Sequence, residues 1–208
     1  MVENIEVLTH SSIRLKGEKV IYIDPFRISE KTSDADIILI THDHFDHFSP
    51  EDIDKIKKND TIIVVPEQMK EQANNVSCGQ CITVLPGIQK QIDGIAIETV
   101  AAYNNTKSFH SKESGWVGYI VELAGTKIYI AGDTDMNEDN RKVVCDVAMV
   151  PIGGTYTMDA KEAAEFVNIL KPKVTIPIHY GSVTGTKKDE EIFKAEVDPS
   201  IGVEIKMP

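Results

Sequence analysis

The sequence predicts an α/β (α+β) protein with a four-layer αβ/βα sandwich, in which two mixed β-sheets pack face to face and helices cover the outer faces. The first observation is a series of roughly a dozen apolar or alternating segments that are typical of strands, arranged in one run in each half of the chain. The second is a set of only about three or four helical segments, too few to form a core alone. The third is the lack of any internal linker or repeat, so residues 1–208 are predicted to form a single domain.

The first half of the chain begins with strands. Residues 5–10 alternate apolar and polar, residues 13–15 continue this pattern, and residues 20–23 return as a second strand after a turn. This strand ends at Asp24 and Pro25, because a proline cannot donate to a sheet. We interpret Asp24 as an acceptor that orients a ligand histidine, with a turn-forming aspartate as the alternative.

A buried strand at residues 37–41 is followed by a helix with a clear start signal. Ser49 is a natural N-cap, Pro50 suits the first helical position, and Asp52 takes the capping-box position. Ile53 and Ile56 should face the core. A strand at 61–65 and a short helix at 66–75 come next.

The second half is predicted to contain a strand meander, a loop and two further helices. The predicted strands are residues 81–85, 89–92, 95–101, 118–123, 127–131, 147–151, 174–178 and 203–206. Residues 103–114 are polar and lack periodicity, which is typical of a functional loop. Asp159 and Glu162 form a capping box for one helix, and residues 188–195 form another.

Three histidines and two aspartates occupy residues 42–47, directly after the buried strand. Imidazole and carboxylate are preferred ligands of zinc and similar divalent metals. His42 and His44 lie two residues apart and leave the same face of an extended backbone. Asp46 and His47 follow at once in what must be a tight loop. We therefore predict two neighbouring metal sites here, with a solvated polar loop as the weaker alternative.

Further candidate ligands lie at the ends of predicted strands. The chain has six histidines. Outside the motif, His110 lies in the long polar loop and His179 ends an apolar strand, as does Asp133. Polar side chains at strand ends that share a crevice are typical of functional sites in layered folds. Cys78 and Cys81 form a lone Cys-x-x-Cys pair, which is interpreted as two free thiols.

The His-x-His-x-Asp-His pattern of residues 42–47 resembles the signature of the metallo-β-lactamase superfamily, and the order of candidate residues fits it from about residue 7 to residue 179. The resemblance implies two metal sites with one bridging residue. Their ligands would be His42, His44 and His110 at site one, Asp46, His47 and His179 at site two, and Asp133 as the bridge.

The early residues resemble one branch of that superfamily, which contains ascorbate-6-phosphate lactonase and N-acyl-phosphatidylethanolamine phospholipase D. The similarity rests on the His10-Ser11-Ser12 and Asp24-Pro25 segments. In that branch the third histidine closely follows a strand, whereas here Asn104 stands near that place and His110 comes later. Either His110 arrives by a loop excursion or Asn104 is a weaker ligand. His10 is interpreted as a substrate-facing or ligand-supporting residue, with a core histidine as the alternative.

The predicted function is hydrolysis of an ester, lactone or phosphodiester of a small metabolite. Two divalent cations, Zn²⁺ or alternatively Mn²⁺ or Fe²⁺, would activate a water, and Asp46 would be the catalytic residue that orients it. Tyr156, Tyr180 or His10 could donate to substrate oxygens. The alternatives are a nuclease-like phosphodiesterase and a non-enzymatic metal-binding or redox module.

Composition and charge limit the partners. A net charge of −11 and the lack of a basic arm argue against nucleic acid. No apolar run approaches the roughly 20 residues that a membrane span needs, and the N-terminus lacks a signal-peptide layout. We therefore expect a cytoplasmic protein that binds a small-molecule substrate and no membrane; a homo-oligomer is left open.

Overall fold

Two mixed β-sheets form the centre of the structure, a computed structural model that describes residues 2–208. The first sheet has six strands in the order β1-β2-β3-β4-β5-β6. Strands β1 to β3 pair antiparallel, and β3 to β6 pair parallel. The strands are β1 (Ile5–Thr9), β2 (Ser12–Lys16), β3 (Val20–Ile23), β4 (Ala35–Leu39), β5 (Lys57–Pro66) and β6 (Gln80–Val84).

The second sheet has seven strands in the order β13-β12-β11-β10-β9-β8-β7. Strands β7 to β10 pair antiparallel, and β10 to β13 pair parallel. The strands are β7 (Gln89–Ile92), β8 (Ile95–Ala101), β9 (Val117–Leu123), β10 (Thr126–Ile130), β11 (Val147–Pro151), β12 (Val174–Ile178) and β13 (Gly202–Val203).

Helices cover the outer face of each sheet. The helices are α1 (Pro50–Ile56), α2 (Lys70–Asn74), α3 (Ala160–Leu170) and α4 (Lys188–Glu196), and short 3-10 turns span Glu67–Met69, Lys112–Ser114 and Asn140–Lys142. No helix within residues 2–208 is long and apolar enough to cross a membrane.

The strands bury both faces, which produces three apolar layers. In β4, Ile37 and Leu39 point into the cluster between the two sheets, whereas Ile38 points into the cluster beneath α1 and α2. A third cluster packs the second sheet against α3 and α4. Because side chains alternate along a strand, a continuous apolar run such as 37–40 is what a doubly covered sheet requires. The predicted four-layer αβ/βα class is confirmed.

Two strand predictions were wrong in their pairing. Residues 12–16 do not continue β1 but fold back on it as a hairpin, with Thr9 opposite Ser12. The turn is made by His10 at a positive φ of 52° and Ser11, without the glycine or asparagine that normally signals such a turn. Residues 80–84 do not join the predicted meander, since β6 pairs parallel with β5 in the first sheet.

Helix starts follow the predicted signals in large part. Ser49 accepts from the amide of Asp52, and the capping box of Asp159 and Glu162 is complete. The Asp52 carboxylate, however, accepts from the backbone amide of Arg27 and not from Ser49. The last strand is shorter than predicted and ends at residue 203.

The sheet topology brings six chain segments to one edge of the sandwich. In the first sheet β1, β3 and β4 run in the same direction, and in the second sheet β8, β10 and β12 do so. The segments that follow their carboxyl ends therefore emerge together. They carry His10, Asp24, the 42–47 motif, the 102–116 loop, Asp133 and His179.

Candidate metal centre

All seven predicted ligands come together in one cluster at this edge, together with His10. Groups of side chains within it place their nitrogen and oxygen ligand atoms within 4.8 Å of one another. The groups are His42, His44 and His110; His10, Asp46, His47 and His179; and His42, His47 and Asp133.

The first group consists of three histidines beside the single tryptophan. His42 Nε2 lies 3.1 Å from His44 Nδ1. The His110 ring centroid lies 5.2 Å from that of His42 and 4.9 Å from that of His44. Trp116 packs against all three rings at centroid distances of 4.9 to 5.3 Å, which limits their rotation.

The second group is centred on Asp46 and is almost entirely buried. Asp46 Oδ2 lies 3.1 Å from His10 Nε2, 3.7 Å from His47 Nε2 and 3.8 Å from His179 Nε2. The rings of His10 and His179 pack with centroids 3.9 Å apart, and the His179 amide donates to the His10 carbonyl. His10 therefore supports both Asp46 and His179 and is not an isolated core histidine.

Asp133 lies between the two groups. Its Oδ2 is 3.0 Å from His179 Nε2 and 3.3 Å from His110 Nε2, and its Oδ1 is 3.3 Å from His47 Nε2. The preceding Gly132 has a positive φ of 67°, and a Cβ there would lie 3.2 Å from Thr41 Cβ. Glycine is therefore needed to bring the aspartate to this position.

Several ligand atoms of the cluster are buried and make no hydrogen bond within residues 2–208, although they lie at ion-pair distance from one another. They are His47 Nε2, His110 Nε2, His179 Nε2 and Asp133 Oδ1. Buried polar atoms normally have partners, because leaving one unpaired is costly. Unpaired imidazole nitrogens and a carboxylate oxygen that converge on one centre form a donor set that fits divalent metal ions.

The protonation states of His42 and Asp133 suit cation binding, whereas that of His47 opposes it. Burial lowers the pKa of His42 well below its ordinary value, so its ring is neutral at neutral pH. Burial opposes ionisation of Asp133, but the charges of His179 and His47 outweigh it and hold its pKa well below the usual range. Burial likewise opposes charge on His47, but Asp133 and Asp24 raise its pKa to about 9, so a cation must displace a proton there.

The buried Asp24 carboxylate holds His47 and Thr41 in position. Its carboxylate contacts His47 Nδ1 at 2.7 Å and accepts from the amide and hydroxyl of Thr41 at 2.8 and 2.7 Å. Contact with Nδ1 directs the other ring nitrogen of His47 into the cluster, the arrangement that commonly orients metal-binding histidines. The predicted orienting contact of Asp24 is present in the structure.

The loop that carries His110 makes an excursion and returns. The Asn104 amide donates to the His110 carbonyl at 2.8 Å, so residues 105–109 project from a closed base. The Asn104 side chain donates to the Tyr156 carbonyl at 2.7 Å, and its Nδ2 lies 3.3 Å from His110 Nδ1. This geometry favours His110 as the ligand, and Asn104 contacts the His110 ring at Nδ1.

We expect His110→Ala to bind one metal ion fewer than the unaltered protein and Asn104→Ala to bind the same number. The reason is that a ring nitrogen of His110 lies within 4.8 Å of ligand atoms of His42 and His44, whereas the Asn104 side chain is held by its Nδ2, which donates to the Phe109 and Tyr156 carbonyls. Metal content after saturation and gel filtration measures the difference. The reverse pattern would assign the ligand to Asn104.

Sequence reasoning missed Trp116 and left other assignments open. Trp116 gave no signal beyond being the only tryptophan, one residue before β9. Tyr180, considered as a substrate donor, is instead fully buried in the cluster under α3. Cys78 and Cys81 are free thiols and belong to none of the candidate ligand groups found within residues 2–208.

Comparison with known proteins identifies the family of the chain. Residues 4–179 match the family described as the β-lactamase superfamily domain. A UPF0173 metal-dependent hydrolase of Thermoplasma acidophilum is 33% identical, over 93% of this chain and 91% of its own length. A solved protein of Parabacteroides distasonis is 30% identical with a TM-score of 0.81, covering 98% of this chain and 93% of that chain.

A more distant structure shares the fold. Igni18, a metallo hydrolase of Ignicoccus hospitalis, is 22% identical with a TM-score of 0.78, covering 98% of this chain and 94% of that one. These matches do not assign the chain to a particular branch, so similarity to the lactonase and phospholipase D branch stays a prediction. The family match and the named relatives show that the chain belongs to the metallo-β-lactamase superfamily, among its metal-dependent hydrolases.

Proposed function

We propose that this protein is a cytoplasmic hydrolase with a binuclear zinc centre that cleaves an ester, lactone or phosphodiester bond of a small metabolite. The observation that carries the proposal is the convergence of buried, unpartnered histidine nitrogens around Asp133. Site one would be held by His42, His44 and His110. The ligands of site two would be Asp46, His47 and His179, and Asp133 would reach both sites.

The ions would supply Lewis acidity and lower the pKa of a bound water towards about 7. The chain supplies the rest. Asp46 would orient the attacking water and accept its proton, because His10 Nε2 fixes one of its oxygens at 3.1 Å. Burial opposes ionisation of Asp46, but its bond to His10 and the charge of His47 lower its pKa, so it is available as an anion.

The small-metabolite assignment follows from charge. A chain with net charge −11 repels the phosphate backbone of a long nucleic acid, which argues against the nuclease-like alternative. The side of the cluster that carries His44 and Phe45 is open, since His44 is half-buried and Phe45 is exposed. A short ligand can therefore reach the histidines from this side.

We expect two metal ions per chain in protein saturated with zinc. The structure offers two groups of ligand atoms on either side of a shared carboxylate, and one ion cannot satisfy both groups. Elemental analysis of freshly purified and of reconstituted protein measures the ratio. A ceiling of one ion per chain would remove the bridging role of Asp133.

The same preparation tests the reaction. A panel of activated esters, lactones and phosphodiesters should reveal turnover with the metal-loaded protein and none after chelation. Zinc, manganese and iron should each be tested, because the ligand set suits all three. Full metal content with no turnover on any class would favour a non-enzymatic metal-binding or redox module.

A further inference from the structure

We propose that the open side of the metal centre, which carries His44 and Phe45, contains an anion-binding subsite. In this subsite Arg27 binds a carboxylate or phosphate of the substrate, and Phe45 contacts an apolar segment of the substrate next to that anion. The inference rests on the proposed function, because it places this subsite beside the reacting bond. It adds the substrate class, an anionic metabolite whose charged group is separated from the scissile bond by an apolar spacer.

The Phe26 ring lies between Arg27 and the cluster and contacts both. The Phe26 ring contacts the ring of His10 edge-on, with centroids 6.4 Å apart. The Arg27 guanidinium carbon lies over the same Phe26 ring, 4.9 Å from its centroid. Arg27 also donates to Ser182 Oγ at 2.7 Å, and Ser182 follows His179 by only three residues. Arg27 is therefore held to two segments that carry residues of the cluster.

Arg27 is exposed, but contacts of its backbone and of its side chain restrict it before any ligand arrives. Its backbone has a positive φ of 51°, an unusual conformation for a residue with a Cβ. The Asp52 carboxylate at the start of α1 accepts from the Arg27 amide at 2.8 Å and from the Ile28 amide at 3.0 Å. Stacking on Phe26 then orients the planar guanidinium. Little conformational entropy is lost when such a side chain binds an anion.

The charge of Arg27 is not neutralised within the protein. Its guanidinium pairs with a neutral hydroxyl, and no carboxylate among residues 2–208 forms an ion pair with it. The lysines of the 103–114 loop differ, since Lys107 pairs with Asp135 and Lys112 with Glu138. A guanidinium has five N–H donors suited to bidentate binding of carboxylate or phosphate. Most of these donors remain available at Arg27.

Phe45 provides an apolar surface beside this charge. It lies between His44 and Asp46 in the motif, and 67% of its surface is exposed. Its ring contacts Phe26 edge-on at a centroid distance of 5.9 Å. Burying an exposed phenylalanine against methylene groups removes apolar surface from water on both sides. A ligand that extends from the cluster to Arg27 would gain this contact.

A series of dicarboxylates from succinate to suberate tests the subsite in metal-loaded protein. One carboxylate can bind at the metal centre while the other reaches Arg27. Calorimetry should show that one chain length binds about tenfold more tightly than the monocarboxylate of equal length, the scale of one additional charged hydrogen-bonded pair. Replacing the distal carboxylate with a phosphonate shows which anion is preferred, and either preference supports the subsite.

Matched variants separate the subsite from general charge effects. Arg27→Gln should abolish the tenfold preference for the dicarboxylate over the monocarboxylate, and Arg27→Lys should keep part of that preference. Phe45→Ala should weaken the binding of dicarboxylates with long spacers most. Arg141→Gln, at an exposed arginine in the 140–142 turn, changes net charge equally and should leave the preference intact.

The inference is overturned if no dicarboxylate binds more tightly than its monocarboxylate, or if Arg27→Gln weakens both ligands equally. Binding is measured without turnover, so the anion-binding subsite and the proposed hydrolase function are tested independently. An Arg27-dependent preference without hydrolysis of any panel substrate would refute the proposed hydrolase and leave the subsite standing.

Discussion

Asp46→Asn is expected to lower turnover of an activated phosphodiester or lactone at least about a hundredfold, the scale of positioned acid–base groups. Asparagine keeps the size of the side chain but cannot accept a proton and carries no charge. The carboxylate oxygen that it replaces lies near ring nitrogens of His10, His47 and His179. The fold should survive, because residue 46 lies in a loop outside the three apolar clusters.

The measurement is kcat with metal in excess, so that weaker metal binding is not mistaken for slower chemistry. Asp43→Asn is the matched control, because Asp43 belongs to the same loop but is exposed, and its carboxylate accepts a hydrogen bond from the Gln72 side chain. Asp43→Asn should retain nearly full activity. If Asp46→Asn remains fully active under the same conditions, the role assigned to Asp46 is wrong.

Asp24→Ala is expected to reduce the free energy of unfolding of the metal-free protein by about 3–5 kcal/mol, the cost of breaking a buried ion pair by removing one partner. The change leaves His47 Nδ1 and two donors of Thr41 fully buried without the carboxylate that they contact. It also frees the His47 ring to rotate, so metal affinity should fall about 10–100-fold.

Urea unfolding of chelator-treated protein and zinc titration measure these two effects. Asp36→Ala serves as the control, because Asp36 also accepts from a backbone amide, that of Val20, but is partly exposed. Its loss should cost about 1 kcal/mol and leave zinc affinity unchanged. Equal destabilisation by both changes would mean that Asp24 has no special supporting role.

The sequence alone determined those features whose signals are local. The 42–47 motif and the capping box at Asp159 were both readable, because each depends on residues within a few positions of one another. The apolar run 37–40 likewise predicted a strand covered on both faces. Order along the chain then placed Asp133 and His179 in the candidate site, and the topology explains why: both follow strands that point to the same edge.

Only the tertiary structure decided which strands pair and what surrounds the ligands. The sequence of β6 is compatible with either sheet, since a strand's side-chain pattern specifies its faces but not its neighbour. The hairpin at His10 was missed because its turn uses a histidine at positive φ, held by contacts with Asp46 and His179 from distant parts of the chain. The positions of Trp116 and Arg27 beside the site depend on such long-range contacts as well, and no local pattern encodes them.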